Sequence, residues 1–100
     1  MQSNLPRDPE KTCEEFFANV QLQKNFQTSV ERALVGCLEE IEGHVPCIEE
    51  VRRYGKRRTS GDLETKNITT EILWRDRVVL VVTEKYGSVY QWLSGEITKA

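Results

Sequence analysis

Apolar residues recur at helical spacing through the first half of the chain and at strand spacing through the second. Cys13, Phe16, Phe17 and Val20 follow the i, i+3, i+4, i+7 rule of one helical face. They come after Asp8-Pro9, where Asp suits the cap and Pro the first helical position. This predicts a first helix from residue 9 to residue 20 or 22. A second stripe, Phe26, Val30, Ala33, Leu34, Cys37, Leu38 and Ile41, keeps the same period. Thr28-Ser29-Val30-Glu31 reads as its capping box, with Asn25 as an earlier start, and Gly43 as its stop. A short third helix is predicted to open at Pro46, with Glu49 and Glu50 early, Arg52 and Arg53 late, and Gly55 at its end. Ile48, Val51 and Tyr54 supply its buried side. No apolar period survives from 55 to 66, which reads as an exposed loop.

Beyond that loop the period becomes two. Residues 68–75 alternate as one strand. Residues 78–83 form a second, apolar at every position up to Val82, and 88–93 a third. A three-residue turn at 75–77 pairs Trp74 with Val78, Ile72 with Leu80 and Thr70 with Val82. A four-residue loop at 84–87 pairs Val82 with Val89, Leu80 with Gln91 and Val78 with Leu93. One face of this meander then carries Ile68, Thr70, Ile72, Trp74, Val78, Leu80, Val82, Val89 and Leu93. The other carries Leu73, Val79, Val81, Tyr90 and Trp92, and a one-residue slip would exchange the two. The expected architecture is α+β: three N-terminal helices packed on a C-terminal three-stranded antiparallel β-meander. The expected organisation is a flexible tail at 1–7, one domain at 8–94 and a second tail at 95–100. Helix, helix, short turn, helix and hairpin also resembles a winged-helix layout in outline, without matching sequence motifs.

Composition agrees with a folded chain: 100 residues, 38% hydrophobic and 30% charged, suffice for one core and not for two. No apolar run approaches the length of a membrane helix, and the first residues lack the apolar stretch of a signal peptide. The expected setting is therefore cytoplasmic, in keeping with an odd number of cysteines, Cys13, Cys37 and Cys47. The Asn67-Ile68-Thr69 sequon is taken as incidental in that setting. The net charge of −2 hides a split: residues up to Val51 sum to −6 and those from Arg52 onward to +4. Such polarity steers a partner or a second copy of the chain.

Candidate chemistry is sparse. Cys13, Cys37, His44 and Cys47 include the right donors for a Cys₃His zinc site, but paired C-x₂₋₄-C knuckles are absent and Cys37 belongs to an apolar stripe. No phosphate loop or nucleophile elbow is present, and the only histidine adjoins no orienting carboxylate in sequence. The sequence thus predicts no enzyme, no metal and no cofactor. Two surfaces remain. The second sheet face, with Leu73, Val79, Val81, Tyr90 and Trp92, is too apolar and aromatic for water, and such patches mark interfaces. Arg52, Arg53, Lys56, Arg57 and Arg58, with Tyr54 among them, suit phosphate and base stacking. The acidic chain, and Glu49 and Glu50 at the head of the third helix, oppose nucleic acid. The expectation is a small protein-interaction or regulatory module that binds another protein or forms a homodimer through the Tyr90/Trp92 face. The alternative is a winged-helix-like nucleic-acid module using the basic segment 52–58.

Overall fold

A computed structural model describes residues 9–100, with side chains from Cys13 onward other than that of Tyr90. The proposed cap Asp8 and the tail at 1–7 lie outside the described residues. The chain is α+β: a helix packs on a four-stranded antiparallel sheet. The elements are helix α1 (Pro9–Glu42), helix α2 (Ile48–Tyr54) and strands β1 (Gly55–Asp62), β2 (Asn67–Trp74), β3 (Arg77–Tyr86) and β4 (Trp92–Lys99). The sheet order is β1-β2-β3-β4.

The first two expected helices are one, which corrects the three-helix expectation. No Pro or Gly interrupts residues 10–35, so nothing forces a break between the two stripes. Thr28 and Ser29, read as a cap, are mid-helix. Their hydroxyls donate back to the carbonyls of Lys24 and Asn25 at 3.1 and 3.2 Å. Gly43 does stop the helix, with φ +80 and its N–H donating to Glu39 O. The three-helix set of a winged-helix layout is therefore absent among the described residues. Among those residues, no helix is long and apolar enough to cross a membrane.

The segment 55–66, expected to be a loop, instead supplies β1 and the turn into β2. Gly55 pairs with Trp74 and Asp62 with Asn67. Its Lys- and Arg-rich, exposed sequence is that of an edge strand, whose solubility depends on charge and whose pairing leaves no apolar alternation. The first β-hairpin of the meander was placed almost correctly: Ile72 pairs with Leu80 and Thr70 with Val82. A bulge after Ile72 then joins Trp74 to Arg77, not Val78, across a two-residue turn. Arg75 and Asp76 both have positive φ there, the conformation that such tight hairpins favour.

The last strand is where the expectation fails. Residues 88–90 form a 3-10 turn, and β4 runs through the segment taken as a C-terminal tail. Thr83 pairs with Glu96, Lys85 with Ser94 and Tyr86 with Trp92. Val89 stands exposed with φ +57, and Leu93 is half out of the sheet. The shift moves Trp92 to the helix-facing side.

The core lies where α1 crosses β3 and β4. Cys37, Leu80 and Val82 are buried together, with Phe26, Val30, Ala33, Ile72 and Ile97 packed around them. Ile48 and Val51, expected to be the buried side of α2, are exposed.

Candidate protein-binding groove

Two patterns of side chain fix α1 on the sheet, one at each end. Toward its N-terminal end, Asn19 hydrogen-bonds both main-chain groups of Trp92. Its Nδ2 donates to Trp92 O at 2.7 Å, and its Oδ1 accepts from Trp92 N–H at 3.3 Å. The Trp92 indole N–H donates to Glu84 at 2.9 Å, and the ring lies 5.4 Å from that of Phe26. Gln23 donates to the Tyr86 hydroxyl at 3.2 Å. Burial raises the Tyr86 phenol above its ordinary pKa, helped by the neighbouring Glu84 carboxylate.

At the C-terminal end, Glu42 accepts from the Trp74 indole at 3.2 Å and from Arg75 through both carboxylate oxygens, at 3.0 and 2.9 Å. The Arg75 guanidinium also stacks 3.8 Å above the Tyr54 ring. Glu42 is the last residue of α1. Its partners come from a turn 33 residues away. The Arg75 hydrogen bonds, then that of Trp74, hold its carboxyl below the usual range. A depressed folded pKa gives a contribution that is complete above the ordinary carboxylate value and is lost as pH falls through the folded one. Glu42→Gln should therefore lower the melting temperature at pH 7 and flatten part of the acid limb. Thermal melts from pH 7 to pH 2 would show it, and parallel wild-type and variant curves would refute it.

Beside this pair His44 contacts both oxygens of Glu50 at 3.1 Å, while Glu50 accepts the Cys47 N–H at the start of α2. The Glu50 hydrogen bond raises the His44 pKa, and the Cys47 N–H, then His44, lower that of Glu50. The cluster orients α2, and the Cys47 side chain joins it by hydrogen-bonding Glu50. Cys37 is buried and Cys13 and Cys47 are exposed, and among the described residues no group of three or more donors could hold a metal.

Because α1 sits over β3 and β4, the helix-facing side of β1 and β2 stays open. It forms the floor of a groove of about 610 Å³. Thr70, Ile72 and Trp74 lie along the floor, Val30 and Leu34 on the α1 wall, and Val51 on the α2 side. Val35, at 43% exposure, and Val51, at 45%, line the mouth together with exposed Val45. Neither Val35 nor Val45 was singled out in sequence. The available signal was the absence of a breaker in α1, which puts Val35 on the same helix as Phe17.

The sequence-nominated surfaces are distributed differently. Trp92, 8% exposed, lies under α1 and Leu73 is buried. Val79 packs against the core cluster, Val81 is half-buried, and Tyr90 is in the 3-10 turn. Arg52 and Arg53 are exposed in the last turn of α2. On β1 the basic side chains alternate. Lys56 pairs with Asp76 at 3.3 Å and Arg58 with Glu71 at 3.2 Å, while Arg57 lines the groove. Comparison with family models, curated proteins and solved structures gives no match to this chain.

Proposed function

We propose that the chain is a small protein-binding module whose working surface is the groove between α1 and β1–β2, with the exposed apolar residues at its mouth. The observation that carries this reading is the groove's lining. Apolar side chains from three elements converge on it, and Val35, Val45 and Val51 remain in water when the chain is alone. Such a site fits an amphipathic helix of a partner, the apolar face seated on Ile72 and Trp74. Arg57 at the rim favours an acidic polar face. Leu73, assigned from the sequence to the outer sheet face, also lines this groove.

Val45 and Val51 are exposed, so Val45→Glu/Val51→Glu should leave the fold intact by circular dichroism. Affinity for a captured protein should fall about tenfold or more, the scale of one or two interface hot spots. Identical protein sets retained on wild-type and variant columns would sink the groove reading. Binding of a labelled oligonucleotide that collapses with salt and with Arg57→Glu would favour the nucleic-acid alternative instead.

A further inference from the structure

Helix α1 is longer than the sheet it packs on. Its 34 residues span about 51 Å at 1.5 Å per residue, whereas strands of eight to ten residues reach about 27–34 Å. The longest dimension of the chain, 57 Å, reflects this. Asn19 hydrogen-bonds the sheet and residues 13–18 before it are all exposed, so these turns overhang. That overhang holds Phe16 and Phe17, exposed at 63% and 66%. Bare helix ends gain little from local propensity, and long helices are held mainly by packing an apolar face.

The side of α1 that is largely exposed up to Glu31, and that turns into the groove wall at Leu34 and Leu38, has an internal order. Cys13, Phe17, Val20, Lys24, Gln27 and Glu31 follow one another in alternating steps of four and three residues, and the pattern continues to Leu34 and Leu38. This is the spacing of a helix–helix seam. Its ends are apolar and its middle polar, with a base and an acid placed on either side of Gln27. Reversed about Gln27, the seam matches itself. Phe17 and Val20 fall opposite Leu38 and Leu34, which line the groove, and Lys24 falls opposite Glu31. Lys24 and Glu31 are both exposed, and among the described residues neither has an ion pair within its own chain.

We propose that the partner of this surface is a second copy of the chain, joined by antiparallel pairing of the two α1 helices about a two-fold axis near Gln27. This rests on the groove reading and names its occupant: the overhang of each copy lies against Leu34 and Leu38 on the wall of the other's groove. Two-fold pairing uses each complementary contact twice, as an isologous interface does. It also explains why the two exposed apolar patches lie at opposite ends of one helix.

The test is mass in solution at micromolar concentration, by sedimentation or light scattering. Wild type should run at twice the 11.6 kDa chain mass. Lys24→Glu alone, and Glu31→Lys alone, place like charges opposite each other at two symmetric positions. Each should weaken the dimer about tenfold or more with an unchanged circular dichroism spectrum. Lys24→Glu/Glu31→Lys in one chain should restore it, and an equimolar mixture of the two single variants should form a mixed dimer. A monomeric wild type overturns the pairing. So does a dimer indifferent to all three variants, because its interface lies elsewhere. A monomer that still captures a protein, and loses it with Val45→Glu/Val51→Glu, defeats the self-pairing while leaving the groove reading intact.

Discussion

Trp92→Ala should remove about 3–5 kcal/mol of folding free energy, the usual cost of deleting a large buried aromatic ring. Small domains have only about 5–15 kcal/mol in total, so the variant should be largely unfolded near body temperature. Three losses act together. The ring leaves a void beside Phe26, Glu84 loses the indole donor, and the site where Asn19 grips the β4 main chain loses its packing. Urea denaturation followed by circular dichroism measures the effect. Trp92→Phe should recover most of the ring packing but not the Glu84 bond, and should cost about 1–2 kcal/mol. A loss below about 1 kcal/mol for Trp92→Ala would mean that the helix does not dock on this end of the sheet.

The same residue marks the limit of what the sequence revealed. The helical half and the sheet half, the stop at Gly43, the short helix ending near Gly55, and the pairing of Ile72 with Leu80 were legible. Each of these is written in local chemistry: a left-handed glycine, a charge gradient along one helix, or an alternation of apolar residues. Three features were not. The fusion of two helices depends on the absence of a breaker, and Thr28 and Ser29 are equally at home as caps or as back-bonded residues within a helix. Strand β1 has almost no apolar residues, because an edge strand needs charge more than burial, so its sequence is that of a loop. The register of β4 is set by a 3-10 turn and a bulge that lengthen the connection, which moves Trp92 and Tyr86 to the helix side. A surface inferred from the wrong register can still contain the right residue types. Trp92 was nominated for being too apolar for water, and α1 is what removes it from water. The unburied apolar surface that prompted an interaction function is found instead on α1, around Val45 and on α2.

Gly95→Val should destabilise the domain by about 2–3 kcal/mol, toward the upper end for an overpacked site. Gly95 sits in β4 opposite Glu84, and the Phe26 ring of α1 occupies the space where any side chain at this position would begin. Its φ is not in the left-handed region, so the requirement for glycine comes from the approach of the helix and not from the backbone. Valine otherwise favours strands, so on an uncovered β4 the same substitution would be neutral or stabilising. The sign of the effect therefore reports whether α1 is seated. A double-mutant cycle makes the contact specific: with Phe26→Ala in place, Gly95→Val should cost much less, because the new methyl groups enter the space that the ring has left. Coupling of at least about 1 kcal/mol is expected for residues in direct contact, whereas additive losses would separate Gly95 from Phe26. Since Phe26 also stacks on Trp92, the three residues form one lock, and it lies where α1 leaves the sheet and the overhang begins. Loosening it should free the overhang's anchor before the Leu80 core opens, so self-association should fail at lower urea than the sheet signal does. The two transitions would coincide if the overhang drew no support from this lock.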